Sequence, residues 1–95
     1  MAFIHIAKSK GFNVEVFRTV SAKVGPPGDT DGLLLQAAGS DDNGLVVVTV
    51  WQSKAHKDRY EAEQLLPVFQ AAGMTADVTA ATEFTEYDAD EFYLR

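Results

Sequence analysis

Few side chains in this sequence could do chemistry: His5, Gln36, Trp51 and Tyr60. His5 sits inside the apolar segment Ala2–Ala7. As a general base it would need an orienting partner; without one it is a satisfied core or interface histidine. Gln36 interrupts the apolar run Leu33–Ala38, and a buried amide needs hydrogen-bond partners, from the protein or from a ligand. Trp51 ends a second apolar run and could stack on an aromatic ligand or pack as a core or interface aromatic. Tyr60 could donate a hydrogen bond into a pocket or simply pack. These four are the candidate ligand-binding residues. No catalytic residue is assigned.

Other chemistries lack their parts. There is no cysteine, so thiol catalysis, disulfides and Cys-ligated zinc are excluded. Two histidines do not make a dedicated transition-metal site, so no metal is expected, although one His could ligate haem. His56 reads as solvated. Glu83, Glu86, Asp88, Asp90 and Glu91 read as a solvated strand edge and tail, with no loop of calcium-ligand spacing. No Gly-x-Ser-x-Gly elbow and no phosphate-cradling glycine motif occurs. No cofactor motif is present, so no cofactor is expected. A net charge of −6 disfavours nucleic acid and anionic membranes as partners. The N-terminus lacks the basic region of a signal peptide, and no run reaches transmembrane length. The expected location is the cytoplasm.

The elements that must position these residues follow from pattern. The 95 residues are expected to form a single domain, 1–95. Ala2–Ala7 predicts the first strand. Asn13–Val24 predicts a helix with Asn13 as N-cap and Val16, Phe17, Val20 and Val24 on one stripe; the alternation of Phe12, Val14 and Val16 is the competing strand reading. Leu33–Ala38 and Leu45–Trp51 predict strands two and three around an Asp42-Asn43 turn. That turn places Leu34, Gln36 and Ala38 on one face with Val47, Thr49 and Trp51. Leu33, Leu35 and Ala37 then share the other face with Val46, Val48 and Val50. Ser53 predicts the cap of a helix over Lys54–Ala72, kinked near Leu66 by Pro67, with Ala55, Ala62, Leu65, Leu66, Phe69 and Ala72 buried. Ala76–Tyr87 predicts strand four.

The order β-α-β-β-α-β implies an α+β, ferredoxin-like fold: a four-stranded antiparallel sheet with two helices on one face. Strands two and three are nevertheless apolar on both faces. Two helices cover one face only, and a large bare apolar patch is rare in a monomer. The expectation is a homodimer through the sheet face.

The segment Gly32-Leu33-Leu34-Leu35-Gln36-Ala37-Ala38-Gly39, followed by Val48-Thr49-Val50-Trp51-Gln52-Ser53, resembles the dimeric α+β barrel superfamily. Tyr60–Gly73 is similar to the second helix of the same group, especially in small bacterial members related to antibiotic-biosynthesis monooxygenases. The resemblance implies paired sheets in a dimeric α+β barrel. Trp51 matches the common Trp at the end of strand three. Small members often carry His where this chain has Gln36, and monooxygenase-like members often carry His near Tyr60; neither is present. Two expectations follow. The first is a homodimer that binds a small apolar or aromatic molecule or serves a structural role. The alternative is a cofactor-independent monooxygenase acting on an aromatic or polyketide-like substrate.

Overall fold

The computed structural model describes all residues, Met1–Arg95. Four strands, β1 (Phe3–Lys10), β2 (Leu33–Asp41), β3 (Gly44–Trp51) and β4 (Thr82–Asp88), pair antiparallel in the order β2-β3-β1-β4. Strands β1 and β3 thus lie in the centre. Helix α1 spans Val14–Val24, and α2 spans Lys54–Tyr60. A π-helical segment, Glu61–Leu65, joins α2 to α3 (Leu66–Ala71), and α4 spans Thr75–Ala81. This is the ferredoxin-like α+β fold, with the helices on one face of the sheet. No helix is long and apolar enough to cross a membrane.

Local chemistry accounts for the boundaries. Asn13 Oδ1 accepts from the Glu15 and Val16 amides at 3.0 and 3.1 Å, which fixes the start of α1 and rules out the strand alternative. Ser53 Oγ accepts from the His56 amide at the start of α2. At the hairpin, Asp41 Oδ1 accepts from the Asn43 and Gly44 amides, and Asp42-Asn43 forms the tip. The expected register follows: Gln36 lies opposite Thr49 and Ala38 opposite Val47. A bulge at Leu34 interrupts it, so Leu33 stands opposite Trp51 and the facing expected for Leu33 and Leu34 fails there. Both outer strand ends run further than expected. β1 continues to Lys10 because Leu45 and Gly44 extend its ladder, and Ser9 Oγ bonds Thr82 Oγ1 at 2.8 Å.

Two further expectations are corrected. The first half of the expected strand four is helix α4. Ala76, Ala80 and Ala81 favour helix, Met74 and Val78 face the same interior space at a spacing of four, and the Thr79 hydroxyl donates to the Thr75 carbonyl. The second correction concerns the long helix, where Ala55, Ala62, Leu66 and Ala72 are exposed. The inward residues are Lys57, Tyr60, Glu61, Leu65 and Phe69. Leu66 N bonds the Glu61 carbonyl, a five-residue step. This wider turn sits directly before Pro67, which lacks an amide proton and would clash with the Glu63 carbonyl in a regular helix. It also keeps 57, 61, 65 and 69 in line, a spacing of four that a regular helix would let drift.

The sheet therefore has two different faces. Gln36, Thr49 and Trp51 share the face that the helices cover. The other face carries Ile4, Ile6, Leu35, Val46 and Val48, with Val46 37% and Tyr87 56% exposed.

Candidate functional site

Between the sheet and the helices lies a cavity of about 160 Å³. Its sheet wall includes His5, Ala7, Gln36, Val47, Thr49 and Trp51; its helix wall includes Phe17 and Val20 of α1, then Tyr60, Leu65 and Phe69. All four residues singled out in the sequence line it. They arrive there by alternation: His5, Gln36 and Trp51 occupy strand positions of one parity on three neighbouring strands.

Trp51 is 1% exposed. Its indole N–H donates to Thr49 Oγ1 at 2.8 Å, and its ring lies 5.1 Å from that of Tyr60, tilted by 43°. The indole donor is already used, so Trp51 offers the cavity only ring surface. Tyr60 has no hydrogen bond to protein through its hydroxyl. Burial, aided by the charge of Glu61, pushes that phenol above the usual tyrosine range, so it stays a neutral donor. The side-chain amide of Gln36 likewise makes no hydrogen bond within the chain.

His5 has the orienting partner that the sequence left open. Its Nδ1 is 2.8 Å from Glu86 Oε2, and its ring lies 5.2 Å from Phe84. Glu86 was expected in a solvated edge, but antiparallel pairing places it opposite His5, on the cavity side of β4. Lys57 completes the group. Its Nζ lies 2.8 Å from the same Oε2, 2.7 Å from Glu61 Oε1 and 2.9 Å from Asp58 Oδ1, with the side chain 8% exposed. Burial works against this ammonium, but the bonds to Glu61, Glu86 and Asp58 outweigh it and hold Lys57 above the usual lysine range. In return the Lys57 hydrogen bond, helped by His5 and opposed by burial, holds Glu86 below the usual carboxylate range.

Lys57 and Glu86 were not among the residues expected at the site. The signal for Lys57 was its place four residues before Glu61, in line with Leu65 and Phe69. For Glu86 no local signal exists, because its position depends on the β1–β4 register. His56 lies outside the cavity, packed against Gly32 with Nδ1 2.6 Å from Ser53 Oγ. No cluster of three or more His, Asp or Glu is placed to hold a metal ion.

The arrangement can do two things. The apolar walls can enclose a ring, and one edge presents an imidazole backed by a carboxylate, with an amide and a phenol nearby.

No protein-family model matches the chain. No curated protein matches it by sequence. Solved structures do. SnoaB from Streptomyces nogalater, a cofactor-independent oxygenase, is 16% identical over 96% of this chain and 94% of its own, with a TM-score of 0.62. A candidate antibiotic biosynthesis monooxygenase from Chloroflexus aurantiacus is 17% identical over 98% and 97%, with a TM-score of 0.66. Another from Deinococcus radiodurans is 20% identical over 100% and 98%, with a TM-score of 0.64. At these identities the likeness is one of architecture: the chain has the ferredoxin-like α+β fold of the antibiotic biosynthesis monooxygenase-like proteins.

Proposed function

We propose that the protein is a homodimer that binds a small aromatic molecule in the cavity between sheet and helices. The observation that carries the ligand reading is the wall itself. Apolar walls converge on a few polar groups, and two of these, Gln36 and Tyr60, have no partner within the chain. A comparable cavity of ~150 Å³ in another protein accepts benzene, so the fitting ligand is about one ring, smaller than a polycyclic polyketide. Titration with a panel of single-ring aromatics and matched aliphatics, read by Trp51 emission and calorimetry, tests this. Saturable binding of the aromatics supports it. Absence of binding across the panel overturns it.

The homodimer rests on the second sheet face. Pairing two copies through Ile4, Ile6, Leu35, Val46 and Val48 would cover it. Burying ~600 Å² of apolar surface per subunit contributes on the order of 15 kcal/mol before association costs. That is comparable to the whole stability of a small domain. Light scattering at micromolar concentration should give twice the chain mass.

One observation favours a second reading, cofactor-independent oxygenation. The His5–Glu86 pair could generate a substrate anion, and SnoaB, of the same fold, is an oxygenase of that kind. In such a reaction a ring CH₂ becomes C=O, the second oxygen atom of O₂ leaves as water, and all four electrons come from the substrate. Oxygen uptake with single-ring quinols and single-ring cyclic ketones bearing an activated CH₂ tests it. An absence of uptake leaves the binding reading alone.

A further inference from the structure

We propose that His5 is the proton acceptor for the molecule held in the cavity, and that this molecule carries a weakly acidic hydroxyl on a single ring, a phenol or a cyclic enol. The proposal rests on the cavity reading above and adds the ligand's chemistry to it.

Geometry sets the tautomer. Glu86 Oε2 receives both the Lys57 ammonium and His5 Nδ1, each at 2.8 Å. An ionised carboxylate can only accept, so Nδ1 carries the ring proton and Nε2 carries the lone pair. No protein group pairs with Nε2, and His5 lines the cavity with its side chain 12% exposed. The base is therefore oriented, largely withdrawn from solvent and free on the cavity side, which is the arrangement that general-base work requires.

The charges around His5 are consistent with proton transfer. From β4 it faces Glu86, and from the α2 side Lys57, Glu61 and the neutral Tyr60. β3 presents only Thr49, whose hydroxyl donates to the His5 carbonyl, and β2 presents the Gln36 amide. From α1 come Val16, Phe17, Val20, Ser21 and Val24, none of them charged. A hydroxyl proton passes from the ligand oxygen to Nε2. The resulting imidazolium is stabilised by Glu86, which stays ionised because Lys57 holds it. The oxyanion left on the ligand can take a hydrogen bond from the Gln36 amide or the Tyr60 hydroxyl. No electrons move and no co-reactant is needed. Glu86 and Lys57 act as positioning residues.

The experiment uses 4-nitrophenol, a single-ring phenol whose colour reports its ionisation near neutral pH. Binding is followed by quenching of Trp51 emission and ionisation by absorbance, across a pH series. With wild type, the bound phenol should ionise about one pH unit or more below the free phenol. His5→Gln should still bind but ionise no earlier than the free phenol, and Glu86→Gln should show a reduced displacement. Where His5→Gln loses its circular dichroism, the Glu86→Gln comparison decides. Binding to wild type with no displacement overturns the proton-acceptor role while leaving the cavity reading intact, and so does a wild-type displacement in either variant. No binding of 4-nitrophenol while the single-ring aromatics of the panel still bind overturns the hydroxyl-bearing ligand alone; no binding of either overturns both.

Discussion

Lys57 and Glu86 meet at 2.8 Å, through the same carboxylate oxygen that His5 Nδ1 uses. One oxygen thus ties the α2 helix, the edge strand β4 and the central strand β1 together. That junction makes the site sensitive to pH in a definite direction.

Glu86 is held below its ordinary value of 4.5, so its contribution to stability is present above that value and lost as pH falls through the lower folded one. Asp58, lowered from 3.8 by Lys57 and Lys54, acts in the same direction. Wild type should therefore lose stability on acidification below about pH 4.5. Glu86→Gln should be less stable than wild type at neutral pH by about 1 kcal/mol, the carboxylate being partly solvated. The gap should narrow in acid. Urea unfolding at neutral and acidic pH measures both, and a constant gap would show that the Glu86 charge is not what matters.

Lys57→Met keeps the stem packed near the Phe3 ring, 5.9 Å from Nζ in the native protein, and removes only the charge. It leaves Glu61, Glu86 and Asp58 without their shared cation. A loss of about 2 kcal/mol is expected. Because Lys57 is raised above its ordinary 10.5 while its carboxylate partners stay ionised above about pH 4.5, that loss should persist between these two values. Denaturation at neutral pH and pH 9 checks it: equal losses are expected.

Val47 and Val48 point to opposite faces of β3. Val47→Asp puts a charge in the cavity wall and should prevent folding at any concentration. Val48→Asp charges the helix-free face and should leave a soluble, partly structured monomer. Circular dichroism with light scattering separates the two. A folded dimer from Val48→Asp would place the subunit contact elsewhere.

Gly32 has φ of +80°, and a Cβ there would collide with the His56 ring. Gly32→Ala combines backbone strain with displacement of that ring, and should cost about 2 kcal/mol. Gly32→Ala with His56→Ala relieves only the collision, so the double variant should recover part of the loss. Melting temperatures of the three proteins decide this.

Trp51, with its ring buried and its N–H bonded, should emit at short wavelength and resist iodide. Emission like that of free tryptophan would contradict the burial described here.

The sequence carried the sheet because its signals were local. Asp42-Asn43-Gly44 pinned the hairpin, and the runs on either side of it could only be covered strands. It carried the membership of the cavity wall for the same reason, since strand parity alone aligns Gln36 with Thr49 and Trp51. What stayed hidden depended on long-range placement. Glu86 is separated from His5 by most of the chain, so an acidic strand edge and a base-orienting carboxylate look identical in sequence. In the long helix Leu65 and Phe69 face inward as expected, whereas Ala55, Ala62, Leu66 and Ala72 do not, because a wider turn at Glu61–Leu65, rather than a kink near Leu66, sets which side faces the cavity. Helix α4 was misread because Thr and Val within an Ala-rich stretch suit either state, and the packing of Met74 and Val78 decided it.

The wider turn at Glu61–Leu65 has a consequence for how this chain can change over evolutionary time. It amounts to one extra residue in a helix whose two ends both face the cavity. Many substitutions along Glu61–Leu65 would be absorbed, since Ala62, Glu63 and Gln64 are exposed. A single deletion would be absorbed as well: it would close the wider turn into a regular one and leave Leu65 and Phe69 on the same wall as Lys57. In this stretch lineages that keep the site can shed one residue, most readily where Pro67, which favours the wider turn, has been exchanged.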